Sequence, residues 1–278
     1  MLESLKGLTV FITGASRGIG EATALKCAQA GANVVVAAKT SEPHPKLPGT
    51  IHTVAQKIED MGGKCLSIQL NVRHEDEVIA AFEKAAKHFG GIDILINNAG
   101  AIQLTPVEAT DVKRYDLMQS VNSRAVYLCS RHALPYLKKS THGHILSMCP
   151  PISLDKQWLA SFSPYTISKY GMTLLSLGMA EEFKKYKIAV NCLWPKTTIA
   201  TAAIKFAVGD EKILEQSRTV DIMADAAYEI IRSAPKTFTG HCCVDETILR
   251  DRGVTDFNQY LYTKDPHQKL RQDLFISW

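Results

Sequence analysis

The sequence lacks the features that mark metalloproteins, disulfide-bonded proteins and membrane proteins. Its seven cysteines, an odd number, include no C-x-x-C pair, and its nine histidines include no H-E-x-x-H motif. We therefore expect no bound metal, and free thiols suited to a reducing compartment. No uninterrupted apolar run reaches the length of a membrane span, so we expect no membrane-spanning segment.

The chain also lacks a strong excess of either charge. Its formal net charge is +4, and the basic residues are spread along the sequence. Nucleic-acid-binding proteins usually carry a concentrated basic surface, so we expect no nucleic acid partner. Hydrophobic residues make up 46% and charged residues 22%, which is typical of a globular domain. Because no linker-like segment interrupts it, residues 1–278 predict a single domain and no second one.

What the sequence does have is an alternation of short apolar runs with segments of helical periodicity. In one such segment Val78, Phe82, Ala85 and Phe89 fall on one helix face. Strands that alternate with helices predict an α/β fold, a doubly wound parallel sheet of Rossmann type with helices on both faces. We predict about seven strands, at Leu8 to Thr13, Asn33 to Ala38, Leu66 to Leu70, Ile92 to Asn97, His144 to Met148, Ala189 to Trp194 and His241 to Val244.

A glycine-rich block, T-G-A-S-R-G-I-G, joins the first predicted strand to the first predicted helix. Its glycines let the backbone approach a phosphate, and a helix N-terminus presents free N–H groups. The spacing differs from the G-x-G-x-x-G of the commonest dinucleotide-binding motif, and the block alone is equally compatible with an ordinary turn. The candidate anion-binding residues are Gly14, Ser16, Arg17, Gly18, Ile19 and Gly20.

Tyr165 and Lys169 are one helical turn apart, so on a helix their side chains share one face. The same spacing occurs at Tyr260 and Lys264, which shows that such a pair alone is weak evidence. Context separates the two pairs. Tyr165 opens a stretch of helical periodicity, whereas Tyr260 lies in a polar segment just before Pro266. We therefore choose Tyr165 and Lys169 as the candidate functional pair.

Together with N-N-A-G, which ends at Gly100, these blocks resemble a known family. The segments G-G-I-D-I-L-I-N-N-A-G, P-Y-T-I-S-K-Y-G-M and N-C-L-W-P-K-T-T-I-A-T add to the resemblance, which extends over nearly the whole chain. The chain resembles the short-chain dehydrogenases/reductases. The resemblance implies an oxidoreductase that transfers a hydride between a nicotinamide cofactor and a carbonyl or alcohol. It also implies a homodimer or homotetramer, assembled through the helix that carries Tyr165 and the helix before it.

The resemblance also implies roles for individual residues. Tyr165 is the implied acid/base, which moves a proton to or from the substrate oxygen. A free tyrosine titrates near pH 10, so Lys169 is needed to favour the phenolate. Asn122 is implied to hold a water in the proton relay, although an asparagine there could equally belong to a helix or turn. The implied cofactor contacts in the N-N-A-G block are Asn98, Ala99 and Gly100.

The end of the second predicted strand bears on the choice between NAD and NADP. An Asp or Glu there would accept hydrogen bonds from the ribose of NAD, but this chain has Lys39. Lys39 and Arg17 together favour the extra phosphate of NADP(H), unless both are simply surface cations. Asn71 stands where the family has an adenine-contacting Asp. After the sixth predicted strand, the residues implied to hold the nicotinamide carboxamide are Pro195, Thr197, Thr198 and Thr201.

The residues expected beside the substrate depart from the family pattern. Matching the segment after the fifth strand puts Cys149 where the family has a serine that polarises the substrate carbonyl, and a thiol is a weak donor. Two nearby serines are candidate replacements, and we prefer Ser153 to Ser147. We expect residues 202–209 to form a mobile lid over an apolar pocket, unless their apolar side chains only serve packing. The apolar residues concerned are Ile204, Phe206 and Val208 in the lid, and Trp158 and Phe162 opposite it.

The sequence thus predicts an NADP(H)-dependent oxidoreductase that acts on an apolar, lipid-like carbonyl or secondary alcohol. Cys149 keeps a second hypothesis open, that of a catalytically weakened protein that binds NADP(H) as a sensor or scaffold. A cytoplasmic location is expected, and the family resemblance leaves a mitochondrion or peroxisome as alternatives.

Overall fold

The sheet at the centre of the fold is seen in a computed structural model that describes residues 1–45, 47–202, 204 and 212–276. Its strands are β1 Thr9–Thr13, β2 Asn33–Ala38, β3 Lys64–Gln69, β4 Ile94–Asn97, β5 His144–Ser147, β6 Ala189–Trp194 and β7 Cys242–Val244. All seven run parallel in the order β3-β2-β1-β4-β5-β6-β7, which confirms the predicted doubly wound α/β fold. Each strand overlaps a predicted apolar run, as expected for strands covered on both faces.

The order of the strands reverses beside β1. The chain passes from β1 to β2 and β3 on one side and then returns to β4 on the other, where Val10 pairs with Ile94. At such a reversal the loops after the central strands diverge and leave a crevice at the carboxyl ends of the sheet. The loops after β1 and β4 carry the glycine-rich block and the N-N-A-G block, so both blocks lie at this crevice.

Helices cover both faces of the sheet. They are α1 Gly18–Gln29, α2 Ile51–Asp60, α3 Glu75–Phe89, α4 Val112–Val121, α5 Ser123–Leu137, α6 Lys156–Ala160 and α7 Ser163–Phe183, followed by Lys212–Glu215, Asp221–Ile231 and Asp245–Asp251. Residues of α1, α2 and the Asp221–Ile231 helix pack on one face of the sheet, and residues of α3, α5 and α7 pack on the other. No helix within the described ranges is long and apolar enough to cross a membrane.

A third group of buried side chains lies apart from these two layers, around the end of β6. It joins the loop before α7, α7 itself and the C-terminal segment of the chain. We call this group the aromatic cluster. It consists of the rings of Trp158, Phe162, Tyr165, Tyr170, Trp194 and Phe275.

Candidate active site

The two glycine-containing blocks are fastened to each other at the ends of β1 and β4. The Asn98 side-chain amide donates to the carbonyl oxygens of Thr13 and Gly14, both at 3.0 Å. The Thr13 hydroxyl in turn accepts from the backbone N–H groups of Asn98 and Ala99, at 3.0 and 3.1 Å. Gly14 has a φ of 67°, and a Cβ there would come within 2.8 Å of the Ala99 Cα. The positive φ and the close approach of Ala99 therefore each require glycine at position 14.

The start of α1 completes a cradle of backbone atoms. Arg17 precedes the helix in an extended conformation and makes no side-chain cap, so N–H groups of the first turn remain available to an anion. A Cβ on Gly20 would collide with the Asn98 amide and would lie 2.5 Å from the Gly14 carbonyl oxygen. The cradle thus leaves room for a ligand such as a pyrophosphate only because these positions carry no side chain.

A cavity of about 1170 Å³ extends from this cradle in both directions. Ligand pockets commonly occupy about 300–1,000 Å³, so the space suits a ligand larger than an ordinary metabolite. Most of the candidate residues meet here. Those that line the cavity are Gly14, Ser16, Arg17, Gly18, Ile19, Gly20, Lys39, Asn71, Asn98, Ala99, Gly100, Asn122, Tyr165, Lys169 and Pro195.

One end of the cavity is bordered by cationic side chains. Lys39 is exposed directly after β2, and Arg17 donates to the backbone carbonyl oxygens of residues 48–49 at 2.8 and 3.1 Å. Sequence reasoning missed Arg73, which lines the same end and donates from Nε to the Asn71 amide oxygen at 3.2 Å. The sequence signal that could have identified Arg73 was its position two residues after Asn71, the predicted adenine contact. This end therefore offers three cations to an anionic ligand.

The opposite end holds Tyr165 and Lys169, on successive turns of α7. The Lys169 ammonium donates to the Met148 carbonyl oxygen at 2.5 Å and lies 4.8 Å from the centre of the Trp194 ring. Burial lowers the pKa of Lys169 to about 8. Burial also raises the pKa of Tyr165 far above its ordinary value, and the charge of Asp273 raises it further. In this arrangement the Tyr165 hydroxyl keeps its proton at neutral pH.

Asn122 is the single residue between α4 and α5, where φ −86° and ψ −89° interrupt the helical backbone. Its amide oxygen accepts from the Ala101 N–H at 2.8 Å, and its amide nitrogen donates to the Ala101 carbonyl oxygen at 2.9 Å. The same nitrogen donates to the Ser168 hydroxyl at 2.8 Å. Asn122 therefore ties the loop after β4 to the helix that carries Tyr165. Its role in holding a water stays a prediction.

The structure does not bring the candidate carbonyl-polarising residues to Tyr165. Cys149 is fully buried between the sheet and α7, with its sulfur 3.6 Å from the Ser147 carbonyl oxygen. Ser147 is a core hydroxyl, 3.0 Å from that of Ser176. Ser153 is held through its backbone by the Tyr170 hydroxyl. Neither serine nor Cys149 lines the described part of the cavity.

The alternation of side chains explains the position of Cys149. Met148 is the residue of this segment that lines the cavity. Met148 packs in the hydrophobic layer on one face of the sheet and Cys149 in the layer on the other face, so the two side chains point to opposite sides. Matching the segment by sequence alone did not fix which of these two side chains faces the site.

The carboxamide candidates Thr197 and Thr198 are likewise buried outside the cavity lining. Thr198 is hydrogen bonded through its hydroxyl to a neighbouring serine at 2.8 Å, and Thr197 pairs with Gln272 of the C-terminal segment. The chain returns to the cavity at residues 199–201, which include the candidate Thr201. Pro195 and these residues form this wall of the cavity.

The predicted lid, residues 202–209, lies largely outside the described residues. Of its named apolar side chains Ile204 is described, and it lines the cavity. Phe206 and Val208 lie outside the described residues, so the mobility of the lid stays a prediction.

Sequence reasoning missed the C-terminal segment, which closes the cavity beside α7. Asp273 lines the cavity, and Phe275 stacks against the Tyr165 ring with centres 6.2 Å apart. Trp158 and Phe162 also pack on Phe275, with centres 5.8 and 6.0 Å from it. Burial raises the pKa of Asp273 to about 7. The sequence signal was the apolar run L-F-I within an otherwise polar segment, which is typical of burial.

Comparison with known proteins agrees with this geometry. Residues 8–211 match the family described as short chain dehydrogenase. The chain belongs to the short-chain dehydrogenase family. The chain is 54% identical over 273 residues to the hydroxysteroid dehydrogenase-like protein 2 of Homo sapiens. The match covers 98% of this chain and 64% of the human protein, so the chain spans less than two thirds of the length of that relative.

Solved structures of other proteins show the same fold. A structure from Xanthomonas campestris, described as a dehydrogenase, is 44% identical, with a TM-score of 0.95 over 99% of this chain and 100% of that chain. A metagenomic short-chain oxidoreductase in complex with NADP is 27% identical, with a TM-score of 0.72 over 87% of this chain and 98% of that chain. These likenesses confirm the family resemblance that the motifs indicated.

Proposed function

We propose that the chain is an NADP(H)-dependent oxidoreductase that transfers a hydride between the nicotinamide and an apolar carbonyl or secondary alcohol. The observation that carries the proposal is a single cavity that reaches from the glycine cradle to Tyr165 and Lys169. A redox cofactor held in the cradle would share that cavity with a tyrosine hydroxyl. Coupled hydride and proton transfer requires this arrangement.

NADP(H) fits the residues at the cationic end of the cavity. Gly14 and Gly20 leave free the space that a pyrophosphate needs, because a Cβ at either position would fill it. Lys39, Arg17 and Arg73 border the region beyond β2, where they would meet a 2′-phosphate. The metagenomic oxidoreductase with bound NADP supports the same choice. When bound, the nicotinamide supplies or accepts the hydride.

In the proposed reaction Tyr165 moves a proton to or from the substrate oxygen. Its ordinary pKa is about 10, so it needs a cation that stabilises the phenolate at neutral pH. Burial and Asp273 raise this pKa further in the structure, so we propose that Lys169, whose ammonium the Met148 carbonyl oxygen fixes at 2.5 Å, and the positive charge of the bound oxidised nicotinamide would together supply it. Asn122 acts by position, since its hydrogen bonds to Ala101 and Ser168 fix α7 against the loop after β4.

The aromatic cluster supports the choice of an apolar substrate. Of its rings, Tyr165 and Trp194 line the cavity and the others pack around Tyr165, so the region in which a substrate would contact the hydroxyl has an aromatic wall. Such a wall excludes water and gives little hydrogen bonding to a polar substrate. A carbonyl or secondary alcohol on an apolar body is the substrate class that matches it.

A second candidate function is a sensor or scaffold that binds NADP(H) and turns over slowly. It is favoured by the absence of a serine hydroxyl from the described cavity lining around Tyr165, where Met148, Trp194 and Asp273 are found. Without a donor to polarise the carbonyl, the chemical step is expected to be slower by a factor on the order of 100.

The test is NADPH oxidation with a panel of aliphatic aldehydes, ketones, 3-oxoacyl thioesters and ketosteroids. Tyr165→Phe should abolish turnover and leave NADPH affinity within about twofold, because it removes only the transferable proton. Tyr260→Phe is the matched control, because Tyr260 has the same Y-x-x-x-K spacing but its hydroxyl donates to Asp225 at 2.7 Å. Tight NADPH binding without turnover in any variant would favour the sensor instead.

We also propose that the protein forms a homodimer or homotetramer. The proposal rests on apolar side chains exposed on neighbouring helices, namely Tyr115 on α4, Tyr127 on α5, and Ile167 and Leu174 on α7. Large apolar side chains that share one surface commonly mark a protein interface. Burial of this surface against a second copy would leave the cavity accessible.

A further inference from the structure

Phe275 is the ring around which the aromatic cluster is built. Its side chain is 1% exposed, although it lies three residues from the last residue of the sequence. The ring centres of its neighbours lie 5.3 to 6.2 Å from its own. Those neighbours are Trp158, Phe162, Tyr165, Tyr170 and Trp194.

The Phe275 ring covers one face of the Tyr165 ring, and its chain neighbours Asp273 and Leu274 line the described cavity although Phe275 itself does not. The two rings are stacked, with an angle of 29° between their planes, and Tyr165 is only 5% exposed. An acid/base residue must come within hydrogen-bond distance of the atom that it protonates. A substrate body that brings its oxygen to the Tyr165 hydroxyl over this face of the ring must therefore share or take over the position of the Phe275 ring.

Among the described residues, the hydrogen bonds that fasten the C-terminal segment to the chain after β6 involve residues before Phe275, while the Gln272 side chain donates to the Ile276 carbonyl oxygen within the segment itself. The Thr198 N–H donates to the Arg271 carbonyl oxygen at 3.0 Å, and the Asp273 N–H donates to the Lys196 carbonyl oxygen at 3.1 Å. The Trp194 indole N–H donates to the Leu274 carbonyl oxygen at 2.8 Å. These bonds fix residues 271–274 to the chain after β6. The Phe275 ring, in contrast, is held by apolar contacts.

The backbone at Phe275 is strained. Its φ is 67°, in the left-handed region that a residue with a Cβ disfavours and that a bulky residue rarely adopts. Strained residues of this kind cluster at binding sites and switch segments, where surrounding packing holds them in place. Release of the ring would let the backbone at Phe275 relax. Residues 271–274 can therefore stay hydrogen bonded to the chain after β6 while the ring leaves the cluster.

We propose that Phe275 is the substrate-selecting residue of this site: its ring fills the substrate position over Tyr165, and an uncharged substrate with a flat, apolar body displaces it. The inference rests on the proposed oxidoreductase function and names its substrate class. The flat shape follows from the stacked rings that the substrate replaces. The lack of charge follows from two groups that line the same part of the cavity, because the Asp273 carboxyl disfavours an anion and the Lys169 ammonium disfavours a cation.

Kinetics of Phe275→Ala and Phe275→Leu test the selection. Both variants enlarge the position over Tyr165. The ratio of kcat/KM for a ketosteroid to kcat/KM for a short aliphatic aldehyde should therefore differ from the wild-type ratio by about tenfold or more. Phe183→Ala is the matched control, since Phe183 is also buried but packs between α7 and the sheet, outside the aromatic cluster. Unchanged ratios in both Phe275 variants would overturn the proposal.

Tryptophan fluorescence tests displacement without turnover. Trp158 and Trp194 contact the Phe275 ring, with centres 5.8 and 5.9 Å away, whereas Trp278 is best removed as Trp278→Phe in all samples. In that background, a ketosteroid without hydroxyl groups cannot react in the presence of saturating NADP⁺, because no hydride donor is present, so emission reports binding alone. We expect a saturable change in emission that Phe275→Leu reduces at least twofold. Saturable binding with the same emission change in both proteins would contradict displacement.

The two readouts separate failure of this inference from failure of the proposed function. If no variant turns over but the ketosteroid still changes the emission in a way that depends on Phe275, the site selects ligands without catalysis. If Tyr165→Phe abolishes turnover while Phe275 variants alter neither selectivity nor emission, the enzyme stands and the selecting role of Phe275 is wrong. Should Phe275→Ala fail to fold, Phe275→Leu and the emission of the parent protein still decide.

Discussion

At the scale of single residues, Gly14 illustrates how strictly the cradle is built. An alanine there would keep a φ of 67° and bring its Cβ to 2.8 Å from the Ala99 Cα. We expect Gly14→Ala to weaken NADPH binding at least tenfold and to lower the free energy of unfolding by about 2 kcal/mol or more, because strain and collision add. Calorimetric titration and urea unfolding measure the two effects.

Gly62→Ala is the control for that prediction. Gly62 has a similar φ of 77°, but a Cβ there would meet nothing within 4 Å. The variant should therefore lose only the backbone preference, about 1 kcal/mol, and keep its NADPH affinity. Equal losses of affinity at both positions would show that the contact with Ala99 is not what matters.

Asp273 predicts a pH dependence of stability. Burial raises its pKa from 3.8 to about 7, so between these pH values the folded protein holds a proton that the unfolded chain has lost. The stabilisation is complete below the unfolded pKa and disappears as the pH rises through the folded pKa. Asp273→Asn cannot ionise, so its free energy of unfolding relative to wild type should increase between pH 5 and pH 8, by up to a few kcal/mol.

Urea unfolding of both proteins at pH 5 and pH 8 checks this sign. Asp116→Asn, which changes an exposed carboxylate on α4, is the control for the loss of one negative charge. A constant difference between Asp273→Asn and wild type at the two pH values would contradict the buried, protonated state.

At the scale of elements, the end of β2 should set the cofactor preference. Lys39 lines the cavity directly after that strand, so Lys39→Ala should weaken NADPH binding about tenfold and leave NADH binding nearly unchanged. Lys64→Ala removes the same charge at the exposed start of β3 and serves as the control. Parallel losses for NADPH and NADH, measured by fluorescence titration, would mean that Lys39 does not contact the 2′-phosphate.

The elements themselves were largely predictable from the sequence. Buried parallel strands are nearly continuous apolar runs, so all seven strands could be located, and the β1 and β4 blocks announced the crevice. The orientation of Cys149 was not predictable, because one residue of register decides which face a side chain takes. Phe275 escaped prediction for another reason. Its partners, such as Trp158 and Tyr165, are more than 100 residues away in the sequence, and no local pattern encodes such a contact.

At the scale of the whole molecule, the exposed apolar side chains of α4, α5 and α7 predict self-association. Leu174 is 62% exposed on α7, and Leu174→Glu should shift the protein toward the monomer while NADPH affinity stays within about twofold. Light scattering coupled to size exclusion measures the mass. Val107→Glu, also at an exposed apolar residue but outside these helices, should not change the mass.

The brace between Asn98 and Gly14 has a consequence for how the protein matures. The amide of Asn98 closes on a carbonyl oxygen 84 residues earlier in the chain. Translation adds about 5–20 residues per second, so several seconds separate the synthesis of the glycine turn from the synthesis of Asn98, which hydrogen bonds to it. During that interval a nascent chain can form β1 and α1 but cannot shape the pocket for the dinucleotide. Nucleotide capture should therefore begin only after β4 has left the ribosome.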